Sequence, residues 1–155
     1  MSLISLDAID RRILDALQID CAVSNQTLAE QIHTSAATCL RRVKRLVETG
    51  VIERQVAILA PDRIGAGLSA VVEVTLDRQG VELLDAFETQ VSADAEVQQC
   101  YRVAPGPDFV LIVHVPDMAG YQALAQRLFT SAGNVRNVRT YFATKRGKFE
   151  PRVRV

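Results

Sequence analysis

The spacing of apolar residues changes near residue 50 of this 155-residue chain. Over residues 6–49 apolar side chains recur every three or four positions, which is the period of an amphipathic helix. Beyond that point, short runs rich in Val and Ile alternate with further helical segments. The chain is therefore expected to form two units of different class, and its length is sufficient for two small domains.

The first half predicts three helices joined by short connections. Asp7, Ser24 and Ser35 are suited to begin them, because their side-chain oxygens can accept hydrogen bonds from free backbone N–H groups. The third helix is expected to run from Ser35 to about Thr49 and to end at Gly50. A helix, a short turn and a longer helix form the helix-turn-helix layout, so residues 1–50 are predicted to be a helix-turn-helix DNA-binding domain.

The second half predicts an α+β domain. Residues 51–68 are expected to form a strand, over 51–60, and a linker that contains Pro61, Gly65 and Gly67. Residues 69–144 then follow the order strand, helix, strand, strand, helix, strand, which is the ferredoxin-like arrangement of a four-stranded antiparallel sheet with two helices on one face. The predicted segments are 69–76, 80–91, 97–103, 109–115, 118–129 and 135–144.

Basic charge is concentrated in the third predicted helix, although the chain has no formal net charge. Four of the five residues from Arg41 to Arg45 are basic. Residues 35–54 carry a net charge of +3, residues 61–144 carry −4, and the basic tail 145–155 carries +4. This distribution indicates one anion-binding part. The tail has two open interpretations: it lies along DNA or a neighbouring subunit, or it is a loose end.

A helical wheel divides the third helix into an apolar arc and an outward arc. The apolar arc holds Ala36, Cys39, Leu40, Val43, Leu46 and Val47. The outward arc starts with small residues and carries its basic residues one turn later; its members are Ser35, Ala37, Thr38, Arg41, Arg42, Lys44 and Arg45. A slim N-terminal end can enter a major groove about 12 Å wide. A merely solvated face would more often mix Glu with Lys, and no acid precedes Glu48 in this helix.

The outward arc therefore predicts a surface for double-stranded DNA. Arg41 is expected to contact a base edge, since Arg pairs bidentately with guanine, and Ala37 and Thr38 could contact a thymine methyl group. The remaining basic residues are expected at phosphates, where they would set affinity and its salt dependence more than sequence choice. They are Arg42, Lys44 and Arg45.

Other functional classes find little support in the sequence. No apolar run approaches the roughly 18 residues that span a bilayer, and no signal peptide is evident, so we expect a cytoplasmic protein without a membrane partner. Cys21, Cys39 and Cys100 form no CxxC pair, and we expect them to be buried small apolar residues. No catalytic constellation, cofactor motif or metal-ligand pattern is present, so neither a cofactor nor a metal ion is expected.

The residues resemble a known family over most of the chain, from Leu6 to about Lys148. The opening LDxIDxxILxxL, the helix SxxxCLxRVxRL and the exit GVI are similar to the DNA-binding half of the Lrp/AsnC (leucine-responsive, feast/famine) transcription regulators. The runs VQQCYRVAPGPDFVLIVHVPDMAGY and VRNVRTYFATKRGK resemble that family's effector-binding and oligomerisation domain. His33 stands at a usual Gly position of the family, so it is expected to tolerate the left-handed backbone conformation.

The resemblance implies a bacterial or archaeal regulator that dimerises by pairing its sheets and often assembles into four dimers. Many members sense amino acids between subunits, near the turn that joins the second and third strands. By position, the implied effector residues are Ala104, Gly106, Asp108, Phe109, Thr140 and Tyr141. The family usually has Gly where this chain has Pro105, and Pro105 and Pro107 remove two N–H groups that could hold a carboxylate. A different small molecule, or none, therefore stays open.

Two alternative functions compete with a DNA-binding regulator. The same fold resembles siroheme decarboxylases, which depend on pocket histidines, but only His33 and His114 are present here. A small-molecule sensor that acts without DNA would not need the intact basic helix. We therefore expect a regulator that is not an enzyme.

Overall fold

The computed structural model of the protein describes residues 4–65, 67–131 and 133–155. Residues 1–3 of the predicted domain 1–50 and residue 66 of the predicted linker lie outside the described residues. The chain forms two compact units. The first runs to Ile58 and also includes Lys148–Val155, and the second comprises Leu59–Gly147.

The first unit contains the three predicted helices, α1 (Ala8–Ile19), α2 (Asn25–Gln31) and α3 (Ala36–Glu48). The three predicted N-caps are confirmed, because the side chains of Asp7, Ser24 and Ser35 accept hydrogen bonds from backbone N–H groups of the first turns. The apolar faces of the helices meet in one core, formed by Ile13, Leu14, Leu28, Ala29, Ile32, Cys39 and Leu46.

Two residues with positive φ shape the connections around α3. His33 has φ 56°, so the expected left-handed conformation is confirmed at the turn between α2 and α3. Gly50 has φ 73° and lies just past the end of α3, where its N–H donates to the carbonyl of Val47. These two positions fix where α3 begins and ends.

The prediction of a strand over residues 51–60 is wrong for the single chain. Residues 53–60 have no regular secondary structure, and Val56, Ile58 and Leu59 are exposed. A strand requires a neighbouring backbone for its hydrogen bonds, and the sheet of this chain contains no strand from this segment. The predicted linker that follows contains a short 3₁₀ turn over Pro61–Arg63.

The C-terminal tail attaches to the helical unit. The side-chain amide of Gln18 donates to the carbonyl oxygen of Val153 at 3.0 Å and accepts from the Val153 N–H at 2.7 Å. Val155 packs against the core of the helices. The sequence left open whether the tail is a loose end. The last residues are not loose, because they bind the helical unit.

The second unit is the predicted ferredoxin-like domain. Its elements are β1 (Leu68–Leu76), α4 (Val81–Ser92), β2 (Val97–Arg102), β3 (Phe109–Val115), α5 (Met118–Ala125) and β4 (Val135–Phe142). A π-helical segment, Gln126–Thr130, continues α5. The strand order is β2-β3-β1-β4 with every neighbouring pair antiparallel, so the predicted topology is confirmed.

Alternating side chains give the sheet a covered face and an open face. On the covered face, Val72 and Val74 of β1 lie beside Leu111 and Phe109 of β3, in one core with residues of α4 and α5. The open face carries the residues between them, such as the partly exposed Val71 of β1. Residues of one strand can therefore contribute to two different surfaces.

Candidate nucleic-acid interface

Helix α3 packs on α1 and α2 through only part of its apolar arc. Cys39 and Leu46 are fully buried, whereas Leu40 is 59% exposed and Val47 is 50% exposed. The neighbouring helices cover the side of the arc that holds Cys39 and Leu46, and Leu40 and Val47 lie on the other side.

The N-terminal end of α3 is small and well ordered by hydrogen bonds. Ser35 and Ala37 are exposed, and Thr38 is partly buried. The Ser35 hydroxyl accepts from the Thr38 N–H at 3.2 Å and donates to the Thr38 hydroxyl at 2.9 Å. The side chain of Asn25, the first residue of α2, donates to the Ala36 carbonyl at 2.8 Å and so fastens the start of α3. The slim end that the sequence predicted is therefore held in place.

Arg41 and Lys44 extend from the outward arc with little engagement by the protein. Arg41 is exposed, and its guanidinium has no hydrogen bond or ion pair with any residue that the structure describes. The Lys44 ammonium lies 3.7 Å from a Glu48 carboxylate oxygen, with both side chains largely exposed. Such exposed pairs contribute at most about 1 kcal/mol, so both cations are available to a ligand.

Arg42 is held by Asp7, the N-cap of α1, and by Asp10 of α1, and Arg45 is held by Asp10 alone. Arg42 Nη1 donates to Asp7 Oδ2 at 2.7 Å and to Asp10 Oδ1 at 2.9 Å. Arg45 Nη2 donates to Asp10 Oδ2 at 2.5 Å. Asp10 is 1% exposed and Arg42 is 20% exposed, while Arg45 is 46% exposed. Arg45 therefore keeps donors that face solvent, and Arg42 is largely engaged within the protein.

These ion pairs keep the acidic partners charged. The backbone N–H of Asp10 and then the Arg42 guanidinium lower the pKa of Asp7 to about 2. Burial alone would raise the pKa of Asp10, but hydrogen bonds from the Asp7 N–H, Arg42 and Arg45 outweigh it and lower that pKa. The hydrogen bonds that Arg42 donates, first to the Asp7 carboxylate and second to the Asp10 carboxylate, raise the pKa of Arg42. At neutral pH the network consists of charged groups throughout.

All seven residues predicted to contact DNA therefore belong to α3 or its N-cap, but they are not equivalent. The two acidic partners of Arg42 were missed by sequence reasoning. Asp7 and Asp10 lie one helical turn apart in the opening motif. From the sequence alone, this motif predicted only where the first helix begins. Nothing local in the sequence connects them with an arginine more than thirty positions away.

The residues implied for effector binding are divided between the two faces of the sheet. The Asp108 carboxylate accepts from the Leu76 N–H at 2.7 Å and its own N–H donates to the Val74 carbonyl, so it fastens the β2–β3 turn to β1. Phe109 is fully buried against Phe87. Ala104 and Gly106 are exposed in the turn, and Gly106 has φ 125°.

Thr140 and Tyr141 are successive residues of β4, so they face opposite sides. The Thr140 hydroxyl bonds the Tyr121 hydroxyl on the covered face. The Tyr141 hydroxyl donates to Glu73 at 3.5 Å on the open face. Gly106 contributes instead to an open cleft of about 220 Å³, whose other lining residues are Glu73, Thr75, Pro107, Asn137 and Arg139. Within one chain the six residues do not line a common cavity, and their role stays a prediction.

The remaining reactive side chains show no assembled site. Cys39 is buried and Cys100 partly buried, but Cys21 is exposed, so the expectation of burial is wrong for Cys21, which lies just past the end of α1. The His114 ring shares a hydrogen bond of 2.6 Å with the Ser69 hydroxyl, and burial lowers its pKa. Among residues 4–65, 67–131 and 133–155, no cluster of His, Cys, Asp or Glu is suited to a metal ion and no helix is long and apolar enough to cross a membrane.

Comparison with protein families matches both units. Residues 6–47 match the AsnC-type helix-turn-helix domain, and residues 69–153 match the Lrp/AsnC ligand-binding domain. The chain belongs to the Lrp/AsnC family of transcriptional regulators. The resemblance inferred from the sequence motifs is thereby confirmed, and so is the assignment of the chain as a DNA-binding regulator of this type.

Individual Lrp/AsnC proteins are similar over nearly the full length. The leucine-responsive regulatory protein of Escherichia coli K12 is 38% identical over 136 residues, which are 88% of this chain and 83% of that protein. A helix-turn-helix transcriptional regulator of Haemophilus influenzae is 36% identical over 138 residues, or 89% of this chain and 82% of that protein.

Solved structures of the family share the fold. The AsnC family regulator from Agrobacterium tumefaciens superposes with a TM-score of 0.89 at 32% identity, covering 96% of both chains. A transcriptional regulator from Neisseria meningitidis in complex with L-Met superposes with a TM-score of 0.88 at 27% identity, covering 95% of both chains. The Lrp/AsnC fold is thus common to this chain and to a regulator crystallised with an amino acid.

Proposed function

We propose that α3 enters the major groove of double-stranded DNA and that Arg41 contacts a base edge there. The observation that carries this proposal is the guanidinium of Arg41, which is exposed and unpaired among the described residues on the outward face of the second helix of the helix-turn-helix. A guanidinium group can donate two hydrogen bonds to one guanine, to its O6 and N7 atoms. The small residues Ser35, Ala37 and Thr38 precede it and leave the backbone of α3 free to approach the bases, with Ala37 and Thr38 near thymine methyl groups.

The other cations of α3 take different roles in this proposal. Lys44 and the solvent-facing donors of Arg45 contact phosphate groups and contribute to affinity with little dependence on sequence. Arg42, which the sequence predicted at a phosphate, is engaged by Asp7 and Asp10 and supports the helix instead.

The protein acts as a dimer that assembles further, up to four dimers, on a roughly palindromic site. Two surfaces of the single chain support self-association. The open face of the sheet exposes Val71, Tyr101 and Tyr141, and residues 53–60 present apolar side chains without a strand partner. Apolar surface of this kind marks an interaction site, and two-fold dimers match two half-sites about one helical turn or a multiple apart.

A small-molecule effector, such as an amino acid, binds between subunits near the β2–β3 turn. The complex of the Neisseria meningitidis relative with L-Met supports an amino acid as the ligand class. Asp108 holds the turn in position by its bonds to β1, and Gly106 gives a ligand access to the backbone. The same proposal places the regulator in the cytoplasm, where its DNA is found.

Replacement of Arg41 tests the proposed base contact. Arg41→Ala should weaken binding to DNA from upstream of the protein's own gene by about tenfold or more, since a bidentate Arg–guanine pair contributes ~1–3 kcal/mol of discrimination. Binding to a scrambled fragment should fall much less. Fluorescence anisotropy at one fixed salt concentration measures both affinities.

The matched control is Arg78→Ala, which removes an exposed arginine from the loop after β1. It should leave both affinities near those of the wild type. Equal losses on the two fragments for Arg41→Ala would contradict a base contact and would assign Arg41 to phosphate.

A further inference from the structure

We propose that Asp7 and Asp10 determine how selective the DNA-binding surface is, by withholding the cationic group of Arg42, and one side of Arg45, from the phosphate backbone. This inference rests on the proposed binding of DNA by α3. It assigns a specificity-determining role to the N-cap and one acidic residue of α1, a helix that itself carries none of the proposed base contacts.

The geometry indicates that Arg42 stays paired with Asp7 and Asp10 when DNA is present. Arg42 bonds both carboxylates through one terminal nitrogen, at 2.7 and 2.9 Å. Asp10 is almost fully buried, so removal of Arg42 would leave that buried charge with Arg45 as its one cationic partner among the described residues. The pair of Arg42 with Asp10 is shielded from solvent and is therefore screened little by salt, whereas Asp7 is 54% exposed and its pair is screened more. A phosphate that approaches α3 therefore meets Arg41, Lys44 and the free side of Arg45, but not a free Arg42.

The energetic consequence concerns the difference between cognate and random DNA. Phosphate contacts are made on every sequence, and they supply nearly all of the non-specific affinity. Base contacts are made only on the cognate sequence. Selectivity is the ratio of the affinity for cognate DNA to the affinity for random DNA. When Asp7 and Asp10 engage Arg42, they lower the affinity that is common to all sequences and leave the base contact of Arg41 intact.

Asp7 is a suitable position for a test because its two carboxylate oxygens have separate partners. Oδ1 accepts from the N–H groups of Ile9 and Asp10 and caps α1, whereas Oδ2 accepts from Arg42. Asp7→Asn keeps an oxygen for the cap, since Asn is as good an N-cap as Asp. It removes the charge and presents an amide N–H₂ or a neutral oxygen to Arg42.

Asp15→Asn is the matched control. Asp15 is an exposed residue of the same helix, and it has no hydrogen bond or ion pair with another described residue. Both variants change the total charge by the same amount. A difference between them therefore reports the loss of one of the two carboxylates that hold Arg42, which keeps its bond to Asp10, and not the overall charge.

The experiment is fluorescence-anisotropy binding of wild type and both variants to the upstream and scrambled fragments over a series of KCl concentrations. For Asp7→Asn we expect scrambled DNA to bind about threefold or more tighter, a smaller gain on upstream DNA, and a salt slope steeper by about 0.9 for each added phosphate contact. Asp15→Asn should leave the ratio of the two affinities and the slope unchanged. Identical behaviour of the two variants overturns the inference.

Adding Arg42→Gln to Asp7→Asn should return the slope and the selectivity ratio to wild-type values, and a failure to do so also overturns the inference. Circular dichroism establishes that each variant is folded. If Asp7→Asn does not fold, Asp7→Ser retains the cap and takes its place. Arg42→Gln alone is a test that leaves the Asp7 cap of α1 unchanged. An unchanged salt slope for this variant supports the inference, and a slope shallower by about 0.9 overturns it.

The result for the wild type separates this inference from the function on which it rests. A wild-type protein without preference for upstream DNA would contradict the proposed sequence recognition and this inference with it. A clear wild-type preference, combined with equal effects of Asp7→Asn and Asp15→Asn, would contradict this inference alone.

Discussion

Asp10 shows how a single buried charge organises a binding surface. Its carboxylate accepts from the Asp7 N–H and from two arginines of α3, so that a residue with 1% exposure joins α1 to α3. The neighbouring Arg41 has no such partner among the described residues and stays available. Adjacent arginines thus differ in their partners because of the carboxylates near them.

His33 offers a test of backbone conformation at one residue. Its φ of 56° is unfavourable for an L-residue with a side chain, and the left-handed conformation costs about 1–2 kcal/mol where a β-branched residue must adopt it. His33→Val should therefore destabilise the helical unit by part of that amount, because His33 already carries some of this cost in the wild type. His33→Gly should unfold at the same temperature as wild type or at a higher one.

Thermal unfolding followed by circular dichroism measures both His33 variants. His33 is exposed, and its side chain makes no hydrogen bond with the residues that the structure describes, so changes in its contacts will contribute little. Equal stability of the Val and Gly variants would contradict the conclusion that this turn requires a left-handed residue.

The tail that follows β4 is an element whose role the sequence left open. Gln18 binds the backbone of Val153 through both its donor and its acceptor, in the manner of a neighbouring strand. Gln18→Ala should therefore free this part of the tail. We expect faster hydrogen exchange of the Val153 amide and a loss of about 1 kcal/mol in unfolding free energy, since exposed hydrogen bonds contribute modestly.

Gln31→Ala provides the comparison for that variant, because Gln31 is an exposed residue at the end of α2 without a hydrogen bond to the described residues through its side chain. It should leave the exchange of the Val153 amide unchanged. If the two glutamine variants give the same exchange rate, Gln18 does not hold the tail.

Elements with local causes were predictable from the sequence, and elements with distant causes were not. The caps at Asp7, Ser24 and Ser35 depend on residues within one turn, and the strand pattern of residues 69–144 is sufficient for the antiparallel topology. The strand over 51–60 was predicted wrongly, because Val and Ile content favours an extended backbone but does not supply a neighbouring strand. The pairing of Asp7 with Arg42 escaped prediction, because periodicity within one helix carries no information about another.

The whole molecule separates its charges between its parts. Basic residues are concentrated on α3 and in the tail, whereas residues 61–144, which include the sheet, are acidic overall. A chain of zero net charge can in this way present a positive surface to DNA, and under the proposed function its acidic part serves assembly and effector binding. An effector would regulate DNA binding by favouring one assembly or half-site spacing, which is coupling between two distinct sites.

The binding of wild-type protein to DNA from upstream of its own gene and to a scrambled fragment, at one near-physiological salt concentration, tests the central claim most directly. The account predicts a preference of about a hundredfold or more for the upstream fragment. Equal binding to both fragments, or binding to neither, would contradict the claim that α3 recognises a DNA sequence.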